Sequence, residues 1–270
     1  MVASNSYQRA LITGATSGIG AAFAAELPSH TDLLLTGRNS DALVRVAEGL
    51  ASPGRIVETY VADLADEAEV RRLVDKAEAF GVDLLINNAG VGQLGRVIDN
   101  DLEQERATVA VNVLAVLLLT RGLMPGMLER ARRHQRRAGI IIVSSTAALT
   151  PIPLFATYSA SKAFDLYLAE ALSEELRADP IDVLALCPGA TRTSFGTRAG
   201  FAAGNFPGAA DPRRVARDGL EALGRCPVKV SGTFDHLAFG ALLHSRPLLT
   251  SAVGTAMRAV TNFFKPPAAP

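Results

Sequence analysis

Short uninterrupted apolar runs alternate with longer segments whose apolar residues recur at helical spacing, and this rhythm holds along most of the chain. Ala10-Leu11-Ile12-Thr13 reads as a strand, followed by a glycine-rich loop and a helix ending near Pro28. Leu33-Leu34-Leu35 predicts a second strand with a helix over about 40–50, and residues 56–61 a third with a helix over 66–80. Leu84-Leu85-Ile86, Ile140-Ile141-Ile142-Val143 and Val183-Leu184-Ala185-Leu186 predict three more, set between long helices. Strands that are apolar throughout, rather than alternating, are covered on both faces. The pattern therefore predicts an α/β fold, a doubly wound parallel sheet with helices on both faces. No linker, repeat or low-complexity tract divides the chain, so residues 1–232 read as one domain. Residues 233–270 are apolar and weakly patterned, with Phe234, Leu237, Phe239, Leu242, Leu243 and Phe264, and are expected to form a helical extension of it.

Composition narrows the class. With 270 residues and 49% hydrophobic content, the chain can bury a substantial core without disulfides or metals. Lys+Arg and Asp+Glu both number 27, so no net field favours nucleic acid or anionic membranes. Cys187 and Cys226 form no CxxC pair, and the histidines at 30, 134, 236 and 244 are scattered, so no metal site is expected. That cysteine usage fits a reducing compartment. Strand-like sequence begins at about Gln8, which leaves no room for a signal peptide. The longest uninterrupted apolar run, 113–119, is far short of the roughly 18 residues that span a bilayer. A cytoplasmic protein without a transmembrane segment is expected. The basic stretch 130–137 is read as a solvated helix C-terminus, where cations complement the dipole, in preference to a site for an anionic partner.

Candidate chemistry starts in the loop after the first strand, Gly14-Ala15-Thr16-Ser17-Gly18-Ile19-Gly20. Glycines let a backbone turn tightly and approach a pyrophosphate, while the helix that follows presents free N–H groups and partial positive charge. Thr16 and Ser17 add hydroxyl donors without bulk. The placement between strand and helix points to a dinucleotide. The second strand ends at Thr36-Gly37-Arg38. A carboxylate there would accept from the ribose of NAD; Gly37 removes that option, and Arg38 suits the extra phosphate of NADP. NADP is therefore expected over NAD.

From about Leu11 to Thr193 the chain resembles the short-chain dehydrogenase/reductase family, whose fold is Rossmann-type. The glycine loop matches that family's Thr-Gly-x3-Gly-x-Gly pattern, and Asn87-Asn88-Ala89-Gly90 its Asn-Asn-Ala-Gly signature. Asn112, Ser145, Tyr158 and Lys162 fall in the order and spacing of its catalytic set, and Pro188-Gly189 with Thr191 and Thr193 match its cofactor-facing loop. The family serine lies thirteen residues before the tyrosine, which selects Ser145 over Ser144. Ala148 departs from the pattern, since members often carry glycine there, and is expected to alter the floor of the substrate pocket. The resemblance further implies that Asp63, with backbone around Leu64, contacts the adenine. It implies that Asn88, Ala89 and Gly90 line the adenosine side and residues 189–193 the nicotinamide side. Read by themselves, Asp63 is equally a helix N-cap and Pro188-Gly189 an ordinary turn.

The catalytic set suits hydride transfer between NADP(H) and an alcohol or ketone. The cofactor supplies the hydride, so the protein must supply an acid and an orientation. A free tyrosine, with a pKa of about 10, is a poor acid–base catalyst near neutrality. Lys162 lies one helical turn after Tyr158, where its ammonium is expected to stabilise the phenolate and lower that pKa. By resemblance it also holds the nicotinamide ribose. Ser145 would orient the substrate oxygen. By resemblance, Asn112 would anchor a water that relays protons to Lys162; read by itself, it equally marks a capped or kinked helix position. Cys187 reads as a buried apolar residue beside the cofactor loop. Substrate-facing segments 92–97, 146–155 and 194–208 carry Leu94, Leu149, Ile152, Leu154, Phe155, Phe195, Phe201 and Phe206, with Arg192 and Arg198, so a lipophilic substrate is expected. The alternatives are a related epimerase or dehydratase, a non-catalytic NADP-binding sensor, and a membrane-peripheral member resting on its apolar tail. The family habit implies a homodimer or homotetramer.

Overall fold

A computed structural model describes residues 7–200 and 208–232. The expected extension over 233–270 and the side chains of Phe201 and Phe206 lie outside the described residues. The strands are β1 (Arg9–Thr13), β2 (Asp32–Gly37), β3 (Val57–Val61), β4 (Leu84–Asn87), β5 (Ala138–Val143), β6 (Ile181–Pro188) and β7 (Val228–Ser231). All pair in parallel, in the order β3-β2-β1-β4-β5-β6-β7. The chain builds outward from β1 to β3, returns to lay β4 against the other side of β1, and builds outward again. Ligands of open parallel sheets bind beyond the strand C-termini where the order reverses. Here that point lies between residues 14–17, after β1, and 88–92, after β4.

Helices α1 (Gly18–Glu26), α2 (Ser40–Leu50) and α8 (Pro212–Ala222) cover one face; α3 (Glu67–Phe80), α5 (Val116–His134) and α6 (Ala156–Glu175) cover the other, and a single turn, α7 (Phe195–Arg198), follows β6. Successive strand residues point to opposite faces. Leu11, Leu34, Leu85 and Ile140 therefore join Leu73, Leu119, Leu123 and Leu166 in one core layer. Ile12, Leu33, Leu35 and Ile141 join Phe23, Leu43 and Val215 in the other. Each such fully buried side chain contributes about 2 kcal/mol of transfer free energy. Local signals set the boundaries: Asp66 caps α3 by accepting from Ala68 N and Glu69 N, and Gly81 ends it in the left-handed region.

Three features depart from the sequence pattern. The edge strand β7 and helix α8 were not signalled, because Val228-Lys229-Val230-Ser231 is short and half-buried and no apolar run marks it. The long helix after β4 consists of α4 (Leu102–Val109), a π-helical turn (Ala110–Ala115) and α5. Among the described residues, 102–134 is one helix long and apolar enough, by length and composition alone, to cross a membrane. The expectation drawn from the run 113–119 missed this because Asn112 and Thr120 interrupt an otherwise apolar stretch; both are buried, and the helix packs on α3 and the sheet. The basic stretch 130–137 is largely neutralised: Arg130 pairs with Glu78, Arg132 with Asp179, Arg133 with Glu129 and Arg137 with Asp182.

Candidate active site

The glycine loop and the segment after β4 are stitched together by one hydroxyl. Thr13 Oγ1 accepts from the backbone N–H groups of Asn88 and Ala89, both at 2.9 Å. The Asn88 carboxamide donates to Thr13 O at 2.8 Å and Gly14 O at 3.3 Å. The side chain expected on the adenosine side is thus occupied in holding the loop. Thr13 is a functional position the sequence reading did not single out, although it opens the Thr-Gly pattern. Gly14 packs on Ala89, and Gly20 lies under the Gly14 carbonyl. Gly18, at φ +59°, brings the helix start so close to Thr193 that an added Cβ would fall 2.9 Å from its methyl.

This loop fits a phosphate-bearing group. Ser17 is the N-cap of α1 yet its side chain makes no capping bond, and the first turn carries no acidic residue. The free N–H groups and positive end of the helix dipole remain available to an anion. Arg38 stands exposed at the end of β2 and forms no ion pair among the described residues. Burial depresses the Arg198 guanidinium, and the nearby Arg38 cation depresses it further, so the two positive charges lie close together. Asp63 makes a local turn, its Oδ1 accepting from Ala65 N at 3.0 Å; the N-cap of α3 is Asp66, not Asp63. Leu64 is buried in the core, and Ile19 packs on the opposite layer. Thr191 Oγ1 donates to Gly189 O at 2.9 Å, and Gly189 N to Ser231 O at 3.1 Å, so the undetected β7 fixes the turn after Pro188.

Ser145, Tyr158 and Lys162 come together. Tyr158 and Lys162 project from α6, while Ser145 follows β5 and caps a short 3₁₀ turn (Thr146–Leu149), its Oγ accepting from Ala147 N at 3.1 Å. The Ser145 hydroxyl lies near enough to the Tyr158 phenol to favour its ionised form. Ser144 is excluded from that role, because its buried hydroxyl donates to Lys162 O at 2.7 Å. The expected fall in the Tyr158 pKa is not found. Burial pushes the phenol above its ordinary value, and Lys162 and Ser145 only partly oppose it. Burial, the largest single effect, depresses Lys162, but the Asp165 carboxylate 2.9 Å from Nζ, together with the Tyr158 phenol and the Cys187 thiol, raises it above its ordinary value. Asp165 went unnoticed in the sequence, although an acid three residues after a lysine shares its helix face.

Asn112 is fully buried in the π-helical turn. Its Oδ1 accepts from Val91 N at 2.9 Å, and its Nδ2 donates to Val91 O at 2.8 Å and Ser161 Oγ at 2.9 Å. A π-turn here aims the carboxamide at the loop after β4, and such turns recur at functional sites. The chain at Gly90 and Gly92 runs close to the catalytic groups, within ordinary contact of Lys162 at Gly90 and tighter still against the Tyr158 ring at Gly92.

The apolar expectation is met in part. Leu94, Ile152, Phe155 and Phe195 gather around Tyr158 with Ala147 and Ala199. Phe155 stacks on the Tyr158 ring at 4.3 Å between centroids, and Phe195 tilts against it at 5.2 Å. Leu154 adopts φ +67°, an uncommon conformation for a residue with a side chain, and its carbonyl accepts from Gly95 N at 2.8 Å. Ala148 is buried in the main core, and Leu149 packs against it. Arg192 turns away to Ala209 O and Asp211.

Comparison with known proteins agrees with this architecture. Residues 8–200 match the family model for short chain dehydrogenases. The mouse protein named Dehydrogenase/reductase SDR family member 7B is 32% identical over 230 residues, which cover 80% of this chain and 70% of that one. A short-chain dehydrogenase from Sphingobium yanoikuyae, solved with NADPH, superposes with a TM-score of 0.77 at 29% identity, over 90% of this chain and 95% of its own. A short chain dehydrogenase/reductase from Burkholderia phymatum, solved with NAD, also gives 0.77, at 27% identity over 93% and 96%. Sheet order, loop placement and sequence match all converge: the chain belongs to the short-chain dehydrogenase/reductase family of oxidoreductases.

Proposed function

We propose that this protein transfers a hydride between NADP(H) and the carbinol or carbonyl carbon of a lipophilic alcohol or ketone, with Tyr158 as the general acid and base. The observation that carries the reading is the meeting of Tyr158 with Ser145 and Lys162, with Lys162 against Gly90 on the same segment whose Ala89 packs on Gly14 of the glycine loop. A bound nicotinamide cofactor supplies the hydride. Tyr158 gives its proton to the carbonyl oxygen as the carbon is reduced, and takes one back when an alcohol is oxidised. Ser145 orients that oxygen and stabilises its developing charge. Lys162 supplies positive charge beside the phenol. The N-terminus of α1, Gly14 to Gly20, holds the pyrophosphate, and Arg38 with Arg198 favours the extra phosphate of NADP over NAD. The apolar group of Leu94, Ile152, Phe155 and Phe195 suits a hydrophobic substrate. Leu102, Val109 and Leu117 on the long helix are exposed apolar side chains, which supports a homo-oligomer. The free thiols Cys187 and Cys226 fit a reducing, cytoplasmic setting.

The test is consumption of NADPH or NADH with a panel of bulky hydrophobic ketones, comparing the protein with Y158F. We expect the variant to bind cofactor normally and to lose roughly a hundredfold or more of turnover, the typical worth of a positioned acid. Turnover that survives Y158F would overturn the assignment, and preference for small sugars would overturn the substrate class.

A further inference from the structure

Lys162 carries three N–H donors. One is directed to Asp165 Oδ2 at 2.9 Å and one to the Val143 carbonyl at 2.9 Å, which leaves one on the side of Gly90 and Asn112. Lys162 and Asp165 are both sealed from solvent, and the second oxygen of Asp165, Oδ1, is buried with no hydrogen-bond partner. Burial pushes the Asp165 carboxyl above its ordinary range, the Lys162 ammonium only partly opposing it, and an apolar residue at the same helix position would avoid that cost. Its neighbours on α6, Phe164 and Leu166, are apolar. The groups that act on Lys162 are Tyr158 and Asp165 from its own helix and the Cys187 thiol from β6, with the hydroxyl of Ser144 and the carboxamide of Asn112 nearby. Burial pushes the Cys187 thiol up to about 12, so it is uncharged at neutral pH.

The charge count follows directly. With Asp165 ionised, the trio of Tyr158 phenol, Lys162 ammonium and Asp165 carboxylate is neutral, and loss of the phenol proton leaves a net negative charge in a buried site. Without Asp165 the same proton loss would turn a net positive pair into a neutral one. We propose that Asp165 is a positioning residue of this site: a buried counter-charge that neutralises the Lys162 ammonium and so holds the proton on Tyr158 further into the alkaline range than a tyrosine–lysine pair alone would. The inference rests on the acid–base role proposed for Tyr158 and adds what sets the pH at which that group changes from proton donor to proton acceptor. The pull of Asp165 on the phenol is upward, in the same direction as burial.

The chain contains four tyrosines and no tryptophan, so the near-ultraviolet absorbance of a phenolate can be followed cleanly. The difference between the titration of the protein and that of Y158F isolates Tyr158. We expect its midpoint to fall by about one pH unit or more in D165N and in D165L, each measured against its own Y158F double variant. An unchanged midpoint, or a rise, would overturn the proposal; a rise would mean that Lys162 had lost its charge instead. Should neither variant fold, the protein itself decides the matter, since a Tyr158 midpoint well below the ordinary value of about 10 contradicts a neutralised lysine. The titration needs no turnover. Failure of the oxidoreductase reading would appear separately, as absence of cofactor consumption in the unaltered protein.

Discussion

The carboxamide of Asn112 closes a ring of two hydrogen bonds with the backbone of Val91, accepting from its N–H at 2.9 Å and donating to its carbonyl at 2.8 Å. The π-helical turn makes this possible by shifting the helix register at one point, and the same carboxamide also reaches Ser161 on α6. Asn112 thereby ties the loop that borders the catalytic groups to the helix that carries them. In N112A the Val91 N–H and carbonyl lose their partners in a half-buried setting. We expect a loss of about 2 kcal/mol or more, from unsatisfied backbone groups worth about 1–3 kcal/mol each. Urea unfolding measures it. A loss confined to turnover, with stability intact, would show that the ring is dispensable to the fold.

Arg38 offers a fixed cation where the sequence provides no ribose-binding carboxylate. Replacing it by aspartate, R38D, reverses the charge and supplies that carboxylate. We expect the affinity ratio of NADPH to NADH to fall by about tenfold to a hundredfold, as charged hydrogen bonds worth about 1.5–3 kcal/mol imply. Fluorescence titration with each cofactor checks this. Equal binding of both by the unaltered protein would remove Arg38 from the discrimination.

Cysteine chemistry offers a separate check on packing. Cys187 is fully buried in β6 and its thiol is pushed up to about 12, burial being the main cause, whereas Cys226 is half-exposed. The thiolate is the reactive form, and at mildly alkaline pH Cys187 has almost none. Iodoacetamide should add once to the native protein, at Cys226, and twice after denaturation, as mass spectrometry would report. Rapid native labelling of Cys187 would mean that the sheet opens near the site.

The sheet was legible in the sequence because its central strands are apolar on both faces; Leu33-Leu34-Leu35 and Ile140-Ile141-Ile142 admit little else. Edge elements were not, since Val228 to Ser231 gain their strand character by pairing with β6 and not from their own pattern. The glycine loop was legible from its place between a strand and a helix, and Tyr158 and Lys162 from their one-turn spacing taken together with the family resemblance. What spacing could not give was the balance of opposing electrostatic effects. Lys162 lies one turn from Tyr158, as read, yet burial and a second charge one turn further on reverse the expected direction. Asn88 shows the same limit: its place was readable, but not that its side chain is spent on Thr13 and Gly14.

Tyr158, Lys162 and Asp165 all ride on a single helix, α6, while Leu94, which crowds the phenol from outside, belongs to the segment after β4, and Phe195 and Ala199 to a short helical segment after β6. On the proposed function, the acid with its two flanking charges and the apolar groups that would meet a substrate are therefore carried by different parts of the chain. Gly92 is held in place, since a Cβ there would fall 2.8 Å from the Tyr158 ring, whereas a change at Leu94 or Phe195 alters the packing around the phenol without replacing the acid, its lysine or the charge that offsets it. A helix built this way is a cartridge: it can be inherited unchanged while the entrance around it is rebuilt.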